Sequence, residues 1–63
     1  MKKLHDSTRL SVYRHRDTLG RAMYYVGHPY PVKRRVSAYV AAMLVATDTA
    51  GKLSFTTIRD AVK

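Results

Sequence analysis

Hydrophobic and polar residues are distributed differently in the two halves of the chain, and the boundary falls at His28-Pro29-Tyr30-Pro31. Two prolines within three residues fix an extended backbone and remove two amide donors, so no regular element should continue through this tetrapeptide. The first half is basic and rich in tyrosine, whereas the second half is apolar and rich in alanine. Because the chain is short, residues 1–63 are expected to pack as a single small basic domain, with residues 1–9 as a flexible N-terminal segment.

In the second half, large apolar residues recur at the spacing of an α-helix. They follow the i, i+3, i+4, i+7, i+8 pattern of a helix buried along one side, and the alanines between them have high helix propensity. Pro31 suits the first helical turn, and residues 48–51 suit the helix end. The pattern predicts one long helix from about Val32 to Thr47, in which five side chains face the core: Val36, Tyr39, Val40, Met43 and Leu44.

A second, shorter helix is predicted at the C-terminus. Ser54 is a good N-cap, and Leu53 before it can pack on Ile58 in a hydrophobic staple. Phe55, Ile58 and Val62 would then share one face of a helix from Ser54 to about Lys63. The alternative is that Phe55-Thr56-Thr57-Ile58 begins as a strand, since these residues also have β propensity.

The first half fits two structures, and Gly20 favours one of them. As a hairpin, Leu10 to Arg16 and Arg21 to Val26 form two strands, with Gly20 in the left-handed position of a type I turn plus bulge. As a helix, Asp17 would cap a segment closed by the glycine and proline that follow Val26. Glycine costs a helix about 1 kcal/mol relative to alanine. The predicted fold class is therefore α+β, with an N-terminal β-hairpin, one long helix and a short C-terminal helix; an all-α domain is the alternative.

Charge adds a prediction about partners. The chain has twelve lysines and arginines against four aspartates and no glutamate, for a net charge of +8, and residues 1–35 contain nine of the cations and two of the acids. A positive field concentrated in this way raises encounter rates with polyanions. The expected partner is the phosphate backbone of nucleic acid or an acidic protein surface.

Two groups of cations are candidates for this contact. Arg14 and Arg16 share one face of the predicted strand and Arg21 returns beside them, while Tyr13 lies on the opposite face. Such a tip could contact phosphates, or it could only keep the hairpin edge soluble. The second group, Lys33, Arg34 and Arg35, falls in the first turn of the predicted long helix, where free amides and cations together favour an anion. Its simpler interpretation is that the long side chains extend into water.

Tyrosine supplies the remaining candidate binding residues. Tyr13 and Tyr30 are expected to stack on unpaired bases or to anchor a protein interface, because a tyrosine ring gives contact area at low entropic cost. Structural use is expected for at least two of the five tyrosines, since the chain has a single phenylalanine and no tryptophan.

The sequence gives no support for catalysis, a metal site or a cofactor. The four aspartates are dispersed, so no acid and base couple is visible. The three histidines lie ten and thirteen residues apart, which fits no common ligand spacing, and there is no cysteine. The three glycines are isolated, so no phosphate-binding loop is present. With no apolar run long enough for a bilayer and no signal-peptide pattern, a cytoplasmic location is expected.

The run RRVSAYVAAMLVATDTAGKLSFTTIRDAVK, about half the chain, resembles the first helix, short strand and second helix of a winged helix-turn-helix DNA-binding domain. The resemblance ends at Lys63, before the recognition helix and wing, so it implies a helix packing but brings no base-reading residues. In size and composition the chain also resembles small accessory proteins of phages and plasmids.

These features favour a small non-enzymatic, nucleic-acid-binding regulatory protein that contacts phosphates through the hairpin and the helix N-terminus. The alternative is a phage- or plasmid-type accessory protein. It would bind an acidic surface of a host protein and inhibit or redirect that protein. A homodimer is a further expectation, because a chain this short without disulfides often gains stability from a partner.

Overall fold

The computed structural model describes all residues from 1 to 63 and confirms the α+β class. A four-stranded antiparallel sheet, in the order β1-β2-β3-β4, is followed by two helices. The strands are β1 (Lys2–Asp6), β2 (Ser11–Arg16), β3 (Ala22–Val26) and β4 (Arg34–Val36), and the helices are α1 (Ala38–Thr49) and α2 (Phe55–Ala61). Neither helix is long and apolar enough to cross a membrane.

The predicted hairpin is confirmed as β2 and β3. Arg16 pairs with Ala22, and the Asp17 amide donates to the Arg21 carbonyl across the turn at 3.0 Å. Gly20 has φ +82°, the left-handed conformation that the turn requires. The Asp17 carboxylate accepts bonds from the backbone amides of Arg21 and Leu19, both at 2.9 Å. The Arg21 amide is the main reason that the pKa of Asp17 lies below its usual value.

The N-terminal segment, expected to be flexible, instead forms strand β1 at the edge of the sheet. Its pairing with β2 contains a bulge between Lys3 and His5. One physical reason lies 41 to 43 residues away along the chain, in α1. The Asp48 carboxylate accepts a bond from the Ser7 hydroxyl at 2.5 Å and contacts His5 Nε2 at 2.6 Å. These bonds join β1 and the following turn to the C-terminal part of α1.

The long helix begins six residues later than predicted and ends at Thr49 rather than Thr47. Residues Arg34 to Val36, expected in its first turns, form β4, in which Val36 pairs with Tyr24. The side chain of Ser37 accepts a bond from the Val40 amide at 3.1 Å and caps the helix. The prediction that Lys33, Arg34 and Arg35 lie at a helix N-terminus is therefore wrong, and helix amides do not contribute to an anion site with them.

The face of α1 that meets the sheet also differs from the prediction. Ala41 and Leu44 are buried, whereas Tyr39 is 78% exposed and Met43 is 37% exposed. Alanine on the inner face allows the helix to approach the sheet closely, and apolar residues occur on every side of α1, so their spacing does not identify the inner one. The buried apolar core contains only seven residues: Leu10, Val12, Val26, Ala41, Leu44, Leu53 and Ile58.

The C-terminal helix is confirmed, together with its cap. The Ser54 side chain accepts a bond from the Thr57 amide at 3.2 Å, and Ile58 is buried. Phe55, predicted to share the inner face, is instead 57% exposed and lies 6.3 Å from the ring of Tyr30. Residues 50–54, between the helices, form no strand, in contrast to the winged helix-turn-helix pattern.

Candidate nucleic-acid interface

The sheet has one face covered by α1 and α2 and one face that no element covers. Val12 and Val26, which pair with each other, are buried in the core on the covered side. Because side chains alternate along a strand, Tyr13 and His15 of β2 and Tyr25 and Met23 of β3 point to the opposite, open face. The open face carries Lys3, Tyr13, His15, Met23, Tyr25 and Arg35, all exposed or half-buried.

Four residues of the open face form a continuous row across all four strands. Lys3 pairs with Tyr13, Tyr13 pairs with Tyr25, and Tyr25 pairs with Arg35. Adjacent strands are about 4.8 Å apart, so the two rings are direct neighbours and each has a cation on its outer side. We call these four residues the tyrosine row. It presents an aromatic centre between two positive ends.

The ring of Tyr13 lies over Gly27, the residue that follows β3. A Cβ atom on Gly27 would stand 2.6 Å from Tyr13 Cε2, so any larger residue there would push the ring away. Two ammonium groups also face this ring, Lys33 Nζ at 4.7 Å from its centroid and Lys3 Nζ at 5.6 Å. Tyr13 is thus held against the sheet and surrounded by positive charge.

Asp6 is a carboxylate of the open face, and it is paired with Lys3. Asp17 lies beside Met23 and Arg35 at the hairpin end of this face, where it is paired with Arg21. Lys3 Nζ donates to Asp6 Oδ2 at 3.3 Å. This hydrogen bond, with the attraction of the same carboxylate, raises the pKa of Lys3 above its usual value. Lys33 and Arg35, on the β4 side, have no acidic partner. The open face is therefore positive on balance.

A second basic surface lies on the other face of the sheet, toward the tip of the hairpin. Lys2 pairs directly with Arg14, and Arg16 follows two residues along the same strand. Neither Lys2 nor Arg14 has an ion pair, and Arg16 donates only to the Gly20 carbonyl at 3.0 Å. Like charges directly opposite each other disfavour the sheet, and a bound anion would relieve that repulsion. We call Lys2, Arg14 and Arg16 the hairpin cluster.

The structure separates three of the predicted site residues from these two surfaces. Arg21 is exposed, but its Nε is 2.8 Å from Asp17 Oδ2, so its charge is already paired. The Arg34 guanidinium lies over the ring of Tyr30 at 4.8 Å. Tyr30 packs against the core, and its buried hydroxyl has no hydrogen-bond partner. Tyr30 is thus an internal packing residue in this fold.

Most of the positive charge has no counter-charge within the molecule. Only three of the twelve lysines and arginines lie within 4 Å of a carboxylate, namely Lys3, Arg21 and Arg59. The nine others are Lys2, Arg9, Arg14, Arg16, Lys33, Arg34, Arg35, Lys52 and Lys63. Seven of these nine precede α1, so the uncompensated charge lies in the part of the chain that forms the sheet.

The four carboxylates are all engaged in contacts within the fold. Asp6, Asp17 and Asp60 pair with cations, and Asp48 joins His5 and Ser7. The structure brings no three histidine or carboxylate side chains together as a metal site. The surface thus offers unpaired cations and accessible tyrosine rings.

Three residues of the interface were missed in the sequence, and for one of them a signal existed. Once the turn pairs Asp17 with Arg21, the register places Tyr25 opposite Tyr13, so the turn length alone could have identified it. Lys2 and Lys3 gave no such signal, because β1 is tied to one distant residue of α1, Asp48.

Comparison with known proteins gives no guide to this surface. No protein-family model, no curated protein and no solved structure matches the chain.

Proposed function

We propose that the protein is a non-enzymatic nucleic-acid-binding regulator that contacts the phosphate backbone through cations of its sheet. The observation that carries this proposal is the set of seven uncompensated lysines and arginines that precede α1. Phosphates supply the missing negative charge, and each contact releases counterions from the nucleic acid. Regulation then follows from occupancy of the nucleic acid rather than from a reaction.

The hairpin cluster and the two unpaired cations of the open face are the proposed phosphate contacts. Lys2 and Arg14 repel each other across neighbouring strands, and their repulsion falls when an anion lies between them. Lys33 and Arg35 lie on the opposite face, so a nucleic acid strand could contact one surface or pass around the sheet edge to meet both. Arg21 contributes less to this binding, because Asp17 already neutralises it.

The test measures the affinity for labelled duplex and single-stranded DNA between about 50 and 200 mM salt. The wild-type protein should lose affinity steeply with salt. Replacing Arg14 and Arg16 together with glutamine should weaken binding and reduce the salt slope by about one for each lost contact. A matched control, Lys52→Gln with Lys63→Gln, removes the same net charge from the helical half and should leave affinity nearly unchanged.

Two results would overturn the proposal. If both double variants weaken binding equally, net charge alone attracts DNA and the sheet is not the interface. If neither duplex nor single strand binds at physiological salt, the basic surface serves another partner, and saturable binding to an acidic protein becomes the function to pursue.

A further inference from the structure

We propose that the tyrosine row is a stacking platform for unpaired bases, so that the open face of the sheet binds single-stranded nucleic acid. This inference rests on the proposed function and specifies its ligand. A base has an aromatic face that stacks on tyrosine whatever its sequence, but that face is accessible only where the strand is unpaired. A duplex offers phosphates without free base faces.

The composition of the open face supports a ligand that is both planar and negatively charged. The solvated face of an antiparallel sheet ordinarily carries polar side chains. Here the two central strands instead present Tyr13, Tyr25 and Met23, with the Tyr25 hydroxyl 3.9 Å from the Met23 sulfur. The outer strands present Lys3 and Arg35. An aromatic centre with positive ends is complementary to bases joined by a phosphate backbone.

The surroundings of Tyr13 show how such a ligand would be received. Gly27 allows the ring to lie low on the sheet, where a larger residue would displace it. The two ammonium groups over the ring belong to exposed lysines, Lys3 and Lys33. Long exposed side chains of this kind move easily, so an arriving base can take their place on the ring while the ammonium groups turn to the adjacent phosphates.

The pairing of Tyr13 with Tyr25 sets the direction in which a bound single-stranded nucleic acid would run. Tyr13 and Tyr25 are a directly paired couple on adjacent strands, so a line through them runs across the sheet, from β1 to β4. A single strand that follows this line meets Lys3, the two rings and Arg35 in succession. Exposed His15, next to Met23, borders the same path on the side of the hairpin tip.

The experiment compares oligothymidylate and oligouridylate, each longer than a site of roughly 4 to 16 nucleotides, with a DNA duplex. Tyr13→Leu and Tyr25→Leu should each lower single-strand affinity by roughly tenfold. Duplex affinity and the salt slope of single-strand binding should stay unchanged, because no charge is removed. Tyr39→Leu is the matched control, since Tyr39 is 78% exposed on α1 and does not belong to the tyrosine row.

Tyr13→Phe separates stacking from a loss of structure. It retains the ring, so it should bind single strands like the wild type, and circular dichroism should show that both Tyr13 variants are folded. The inference is wrong if the folded leucine variants bind single strands as well as the wild type does, or if single-strand and duplex binding fall together. In either case salt-dependent DNA binding would still support the proposed function, whereas the absence of all salt-dependent binding would remove both.

Discussion

At the scale of single residues, Gly27 determines whether the Tyr13 ring can lie on the sheet. Gly27→Ala places a methyl group 2.6 Å from Tyr13 Cε2, so the ring must move outward. Because the ring borders open solvent, we expect little change in the free energy of unfolding, at the low end of the ~1–3 kcal/mol that overpacking costs in a core. Single-strand affinity should fall nonetheless, which titration with oligothymidylate would measure.

Gly51→Ala is the counterpart to this change, because it alters the backbone and leaves the interface intact. Gly51 has φ +74° and no atom within 4 Å of an added Cβ. Alanine in this conformation should cost about 1–2 kcal/mol in urea unfolding, with single-strand affinity unchanged. If Gly27→Ala destabilises the fold while its binding is preserved, then Gly27 supports folding rather than the position of Tyr13.

Asp48 makes the stability of the fold depend on pH. Its pKa lies below the usual 3.8, chiefly because the Ser7 hydroxyl and then His5 bond to the carboxylate. A lowered folded-state pKa means that the carboxylate stabilises the fold above about pH 4 and that this contribution is lost as the pH falls through the lowered value. Thermal unfolding of Asp48→Asn should show lower stability at neutral pH and a flatter profile below pH 4.

The control for this profile is Asp60→Asn, because Asp60 is exposed and lies 3.9 Å from Arg59. We expect it to follow the wild-type curve. Asp17 also has a lowered pKa and contributes to the same acid limb, so Asp48→Asn should flatten the profile without abolishing it. An Asp48→Asn curve parallel to that of the wild type would show that Asp48 does not link β1 to α1 through its charge.

At the scale of elements, Ser37 fixes where α1 begins. Its hydroxyl accepts the bond from the Val40 amide, and α1 supplies Ala41 and Leu44 to the core. Ser37→Ala should destabilise the protein by about 1 kcal/mol in urea unfolding. Ser37→Asp retains a capping acceptor and should restore the wild-type value. Equal stability of the alanine variant and the wild type would mean that pairing in β4, rather than the cap, sets the helix start.

Some elements of the fold were predictable from the sequence, and others were not. The hairpin and α2 were predicted because their signals are local, a glycine at the turn and a serine at the cap. The start of α1 was predicted too early because Val36 continues the apolar spacing of the helix, although it pairs with Tyr24 in β4. Strand β4 is three residues long, so its pairing with β3, and not its composition, defines it.

The candidate interface was likewise predictable only in part. Cations and tyrosines were predicted as binding residues by type, and Tyr13 and Arg35 do lie on one surface. Their arrangement in a row depends on the register of all four strands, and β1 is positioned through bonds to Asp48 that no local pattern encodes. Residue types therefore predicted a kind of ligand, while tertiary contacts determine which of these residues share a surface.

At the scale of the whole molecule, a small core and a large net charge make stability sensitive to anions. Seven apolar residues are buried in a chain with a net charge of +8, so self-repulsion opposes the compact state. A ligand at about a hundred times its Kd stabilises a protein by about 2.7 kcal/mol. For a domain of this size 1 kcal/mol shifts Tm by roughly 4–8 °C, so oligothymidylate should raise Tm by about 10–20 °C.

Heparin separates the contribution of charge from that of base stacking to this rise in Tm, because heparin carries dense negative charge but no aromatic bases. It should raise Tm by pairing with the cations, and the rise should vanish at high salt as the charges are screened. At the same multiple of Kd the two ligands stabilise equally, so the comparison is made at equal concentration of anionic groups. Oligothymidylate should then raise Tm more than heparin, and Tyr13→Leu should reduce only that excess. If heparin matches oligothymidylate in the wild-type protein, positive charge alone accounts for binding and the rings of the tyrosine row contribute nothing to it.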